Sequence, residues 1–422
     1  MTAKQSDDLV RHLIVARGFQ WLFGSEGDPY ALLLRAEDDD PLRLAEQARE
    51  RGAVYQGDFD SWVTTQHAAG ATVLTDSRFG FQHPGMPESQ HHFIELDEII
   101  TDDVTLCHLV DLEDAFLHME RDEYERLTHT AAPLLGESAL EDRRSEAVRA
   151  THALLDGLGG AFDLTTDLAR PLAVGLIADL IAVPDPDRAR FSELCAGLST
   201  ALDASLCAQQ VDAVSELFAS VEGTRDLLDG LRPDESSSPS HGLGVLPIED
   251  RKAVGVLLAA AGVEMSANLI VNAVLALGEA PEQWAQVRES PDLVTAAVLE
   301  TLRLDPPVRI EGRVAHADVE LAEATVPAGS HTVVWMDAAN QDPDVFRDPH
   351  TFDLHRASEP TVLVPTSGPT GFVTPVAQAY AEGALSALIT HLPHAPEPTA
   401  PVVRRLRAGI TRGALRAPVR VR

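Results

Sequence analysis

Residues 253–277 read Ala-Val-Gly-Val-Leu-Leu-Ala-Ala-Ala-Gly-Val-Glu-Met-Ser-Ala-Asn-Leu-Ile-Val-Asn-Ala-Val-Leu-Ala-Leu, a run long enough to cross a bilayer but with Glu264, Ser266, Asn268 and Asn272 in its middle. An ionised Glu at mid-bilayer costs several kcal/mol. A helix apolar on every side also belongs at the centre of a large soluble fold, so the segment predicts a buried helix around which the chain packs. At roughly 100–200 residues per domain, the length allows two to four domains or one large fold.

Charge narrows the partners. The 66 acidic and 33 basic residues leave a net charge of −33, which disfavours nucleic acid and anionic membranes as ligands. The last 20 residues are the exception, with seven Arg and no acid. Three cysteines, Cys107, Cys195 and Cys207, have no zinc spacing and fit free thiols in a reducing compartment. No secretory pattern opens the chain, and a cytoplasmic protein is expected. His83, His91 and His92 sit in a polar stretch without partner carboxylates or cysteines, so no metal site is expected. The glycine-rich stretches 156–160 and 242–244 lack the strand–loop–helix order of a phosphate loop and read as turns.

Apolar residues at three- and four-residue spacing predict helices over Leu9–Ala16, Pro41–Arg51, Tyr124–Leu135, Arg143–Leu158, Leu168–Ile181 and Val214–Leu228. Asp38-Asp39-Asp40 before Pro41 reads as a helix entry. The polar tract 232–244 predicts a surface loop. A further helix carries Glu300 and Arg303, with Ser290, Pro291 and Asp292 at its expected start and Pro306-Pro307 as its stop. Strand signals cluster later, at Val308–Ala315, Val319–Leu321 and His331–Trp335, with Pro327-Ala328-Gly329 as a turn. The chain is therefore mainly α with a small β part.

Glu300-x-x-Arg303 is followed in order by Asp305-Pro306-Pro307-Val308, Gly312-Arg313-Val314-Ala315, Val326-Pro327-Ala328-Gly329, Ala338-Ala339-Asn340-Gln341-Asp342-Pro343 and Phe352-Asp353-Leu354-His355-Arg356. This succession resembles the haem-thiolate monooxygenases, the cytochrome P-450 family. Upstream, Ala261-Gly262-Val263-Glu264 is similar to that family's oxygen-activating motif. The resemblance implies a cytochrome P-450-like fold and a charge triad of Glu300, Arg303 and Arg356 that ties a helix to the following irregular stretch.

It also marks what this chain lacks. Where the family has Phe-Gly-x-Gly-x-His-x-Cys, the sequence reads Thr366-Ser367-Gly368-Pro369-Thr370-Gly371-Phe372-Val373-Thr374-Pro375. Pro375 stands at the position of the Cys that ligates iron and Val373 at that of the His. Proline has no donor atom for a metal. Met265 replaces the proton-relaying threonine, Tyr124 a propionate-binding His and Thr128 the Arg after it, while Arg313 keeps the other propionate position. The expectation is a haem-free fold with no cofactor and no catalytic residue. Glu264 has two readings, a polar residue lining a groove of that helix or a relic satisfied by neighbouring backbone, and the relic is the expectation.

A haem-thiolate fold without its thiolate resembles the P-450-like auxiliary proteins of actinomycete antibiotic pathways. These bind and activate a glycosyltransferase that moves a deoxyamino sugar from a TDP donor to a polyketide. Residues 17–30 are similar to the anthracycline branch. The implied partner is a glycosyltransferase. The alternatives are an oxygenase-like enzyme reusing the pocket, with or without haem, and a small-molecule carrier. The N-terminal segment 1–30 reads as a helix and aromatic stretch ahead of a single domain over 31–422, with Leu9, Val10, Leu13 and Ile14 on one side. Leu13, Phe19, Trp21, Phe23 and Tyr30 are its candidate partner contacts, with packing on the protein's own core as the other reading.

Overall fold

The computed structural model describes residues 3–37, 40–59, 61–82, 112–231, 242–356 and 361–421. Cys107, His83, His91, His92, Asp38, Asp39 and most of the tract 232–244 lie outside the described residues.

The run around Glu264 is the central helix, built from Ile248–Leu257, a π-type turn at Leu258–Gly262, and Val263–Glu279. It is long and apolar enough to cross a membrane, yet its most apolar stretch is wholly buried inside the protein. Helices Arg170–Leu180, Leu293–Leu304 and Gly368–His391 pack around it. The last of these lies along Glu137–Leu155 at close range. A Cβ on Gly383 would come within 2.6 Å of the Ala147 Cβ, so this approach requires glycine.

The largest sheet of the β part among the described residues has five strands, in the order Val54–Gln56, Ser61–Thr64, His331–Trp335, Ile310–Ala315, Phe79–Gly80, and the other strands form three sheets of two or three strands. Its only parallel pairing joins Ser61–Thr64 to His331–Trp335. The Val319–Leu321 strand pairs with Ala324–Val326 just before the turn at Gly329, whose φ is +85°. The expected strand from Val308 begins at Ile310, and the three strands before residue 81 were not foreseen. Each of those has two to four residues, and Ser61–Thr64 and Phe79–Gly80 take their register from strands far along the chain, which leaves little local signal.

The expected helices are present with shifted ends, except that Tyr124–Leu135 divides at Ala131 into Arg121–Thr130 and Ala132–Leu135. Asp40 accepts a hydrogen bond from Leu42 N at 3.0 Å, as a helix entry requires. The Glu300 helix starts at Leu293 rather than Ser290. Asp292 occupies the cap position without a side-chain bond, and Ser290 closes the preceding helix. The N-terminal helix runs unbroken from Ala3 to Glu26, where the sequence predicts a short helix followed by an aromatic stretch. Leu9, Leu13 and Ala16 on it join the same hydrophobic core as Ile410 and Val419, so packing is continuous across residue 30.

Candidate functional site

The Glu300 helix and the irregular stretch after it assemble as the motifs imply. Arg303 donates to Glu300 through Nε at 2.9 Å and Nη2 at 2.8 Å, and it also reaches the carbonyls of Asn340, Pro349 and Thr351. Arg356 donates to the same carboxylate at 3.0 Å and to Thr351 O at 2.9 Å. Asp353 N adds a bond at 3.1 Å. Both charges of the Glu300–Arg303 pair are buried and paired, with most of their donors and acceptors used.

The ligand loop is different. Helix Gly368–His391 starts seven residues, about two turns, before Pro375. Gly368 enters it at φ +79°, and Pro369 stands in the first turn, where its missing N–H removes no bond. Pro375 therefore lies inside a helix, half-buried, instead of pointing from a loop. Phe372 and Val373 are buried in the core. Val373 faces the π-type turn, with its Cγ1 3.6 Å from where a Cβ on Gly262 would stand. Helix Gly368–His391 packs closely on this turn and on the central helix, and the facing stretch 370–377 contains no His, Cys, Met or Tyr. These residues do not fit a haem.

The groups that would support one have found partners within the protein. Arg313 is paired with Glu311 at 2.9 Å and stacks on Phe81, 4.2 Å from the ring centre. Tyr124 donates to Phe116 O at 2.9 Å, accepts from Met119 N at 3.3 Å and meets Phe81 edge-on. Burial pushes its phenol pKa far above the usual value. Thr128 bonds back to Tyr124 O, and Met265 is a core side chain. A cavity of about 90 Å³ remains beside Glu311, Arg313 and Thr370. It is small against the roughly 300–1,000 Å³ of ordinary ligand pockets.

Glu264 corrects one expectation: charged side chains, rather than neighbouring backbone, satisfy it. Arg170 donates to it at 2.6 Å, Arg405 pairs with it at 3.3 Å and Asn268 donates at 3.3 Å. Burial alone would raise its pKa, but Arg405 and Arg170 more than offset this and hold the carboxyl below its usual range. Close by, Asp203 accepts from Ile410 N, Thr411 N and Thr411 Oγ1 at 3.0, 2.9 and 2.6 Å. Burial pushes its pKa up to about 6. Sequence reading missed Asp203. The only signal was the arginine-rich end, whose side chains serve internal pairs: Arg404 with Asp305, Arg405 with Glu264, Arg416 with Asp163 and Arg420 with Glu397. Cys195 and Cys207 are free buried thiols. Among the described residues, no group of three or more His, Cys, Asp or Glu could hold a metal.

The five candidate contacts near the N-terminus separate. Leu13 and Tyr30 are buried, and Phe19 and Phe23 pack against the core, Phe23 edge-on to Phe59 at 4.9 Å. Only Trp21 of the five is well exposed, at 44%. Ile14, expected on the side of Leu9 and Leu13, points outward and is 64% exposed; Leu22 is 50% exposed. Ile14 and Leu13 lie about 100° apart around the axis, enough to place one in the core and the other in solvent.

Comparison with known proteins agrees with this fold. A cytochrome P450 family model matches residues 160–369. The chain is 37% identical to Protein AknT of Streptomyces galilaeus over 99% of its own length and 96% of that protein's. It is 33% identical to Protein DesVIII of Streptomyces venezuelae, over 98% and 93% of the two chains. Identity to the cytochrome P450 family protein EryCII of Saccharopolyspora erythraea is 31% over 99% of each. Among solved structures, ligand-free CYP164A2 of Mycobacterium smegmatis superposes with a TM-score of 0.77 at 25% identity, covering 93% of this chain and 99% of that one. P450BioI bound to an acyl-ligated carrier protein gives 0.75 at 24% identity, covering 91% and 99%. The chain belongs to the cytochrome P450 family.

Proposed function

We propose that this member of the family binds no haem, performs no chemistry and acts in the cytoplasm as an auxiliary protein. It binds and activates a glycosyltransferase that transfers a TDP-deoxyamino sugar to a polyketide. The observation that carries this reading is the helix Gly368–His391, which takes Pro375 into a helix and buries Val373 in the core at the positions where the family's ligand loop would stand. The near-full-length likeness to AknT and DesVIII, both Streptomyces proteins, supports the actinomycete branch that the motifs imply. A protein acting this way favours the active conformation of its partner, by no more than the difference in its affinity for the partner's two states.

The test is to purify the chain alone and together with the glycosyltransferase of its own gene cluster, and to measure visible absorbance, complex size and sugar transfer. The expected result is no Soret band, a hetero-complex on size exclusion, and transfer that depends on the chain. A Soret band with turnover, or transfer that is equally fast without the chain, would overturn the proposal.

A further inference from the structure

The N-terminal helix leaves one face uncovered. Ile14, Gly18, Trp21, Leu22 and Ser25 follow one another at helical spacing, and all five are exposed. A Cβ on Gly18 would meet nothing within 4 Å, so the middle of the stripe is flat and open to close approach. Elsewhere this helix is fastened down. Gln20 donates to Leu206 O at 2.8 Å, and Arg17 to Arg35 O at 2.8 Å. The exposed stripe is therefore held in place by the fold and is not a frayed end.

Its electrostatics run against those of the whole chain. Arg35 lies 4.6 Å and Arg17 5.8 Å from the Trp21 ring centre. Arg407 joins them, its N–H bonded to Ala36 O, and Leu406 beside it is 71% exposed. Burial first, and then the charge of Arg407, lower the pKa of Arg17. Glu37 is paired with Arg17 at 3.1 Å and lies 3.8 Å from Arg35, and Glu26 stands at the far end of the stripe. The three arginines are partly buried, with 16% and 15% of the Arg17 and Arg35 side chains exposed, and counted against Glu37 and Glu26 they leave this apolar patch one charge positive (3 − 2) on a protein of net charge −33.

We infer that this stripe is the docking surface for the partner protein, and that the partner's matching face is apolar and rimmed by carboxylates. The inference rests on the proposed function and names the surface and the partner chemistry. A second copy of this chain fits poorly, because a two-fold contact would set the arginine cluster against itself. Trp and Arg are also the residue types that dominate interface energetics.

The experiment is calorimetric titration of the full chain with the purified glycosyltransferase of the same gene cluster. Trp21→Ala should weaken binding by about ten-fold or more, and Ile14→Asp should abolish it. Ile248→Asp, at an exposed apolar residue off the patch, should bind as wild type does. Glu37→Gln removes an acid from the patch and should tighten binding by about three-fold. Melting curves confirm folding, with Leu22→Ser as the substitute for any variant that fails. Variants that bind as tightly as wild type overturn the docking surface and leave the proposed function standing. No binding by the wild-type chain overturns the proposed function itself. Weaker binding by Glu37→Gln overturns the acidic rim, and a dimer of the chain alone that Ile14→Asp disperses makes a second copy the occupant.

Discussion

Two walls of the same fold have taken opposite courses. Around Glu300, every charge is satisfied by groups of the chain itself: Arg303, Arg356 and the carbonyls of Asn340, Pro349 and Thr351. That wall keeps the family's arrangement. Across the central helix, the family's polar groups face a cofactor, and here the corresponding groups pair within the chain, with Arg313 Nε and Glu311 Oε1 left buried without a hydrogen bond. Glu311 neutralises Arg313, Phe116 O accepts from Tyr124, and Val373 covers Gly262. An internal ion pair stays costly to remove whatever the protein does, whereas groups that served an external ligand can be repacked once it is gone.

The largest expected effect tests the first wall. Arg303→Ala leaves the Glu300 carboxylate buried with one arginine fewer, which should cost roughly 3–5 kcal/mol and show as a lower melting temperature and soluble yield. Partner activation per folded molecule should be unchanged. Unchanged melting together with lost activation would give the triad a functional role and break the comparison.

Next comes the ion cluster beneath the central helix. Asp203 has a folded-state pKa raised to about 6 from a usual 3.8, so between those values the folded state binds more protons than the unfolded one. Its contribution therefore makes the protein less stable as pH rises through that window, by up to about 3 kcal/mol above it. Asp203→Asn should remove this component, flattening denaturant-derived stability between pH 4 and pH 7 relative to wild type. An identical pH slope in the variant would show that Arg405 keeps Asp203 ionised.

The smallest effect is expected on the second wall. Pro375→Cys returns the ligand atom but leaves Val373 on Gly262 and Arg313 on Glu311, so incubation with hemin should give no thiolate-ligated Soret band. A stoichiometric band would show that the helices part readily and that the wall is not closed.

Much of the fold was legible from local pattern. The central helix and the strands at Val319 and His331 follow from periodicity, because each is specified by neighbours within a few residues, whereas the Glu300 triad, whose Arg356 lies 56 residues away, was legible only through the family resemblance. The helical start at Gly368 was not legible. Pro375 and two glycines read as a loop, and only packing of Phe372 and Val373 into the core offsets a proline that costs a helix interior about 3 kcal/mol.

The sequence by itself determined that the chain is a mainly helical P-450-like protein whose ligand position holds proline, because residue identity alone denies iron a donor there. Tertiary structure decided what filled the space and which surface was left. Arg170 and Arg405 reach Glu264, Thr411 reaches Asp203, and Ile14 rather than Leu13 faces solvent. Those outcomes depend on contacts between segments far apart in the chain, where helical periodicity and spacing carry no information.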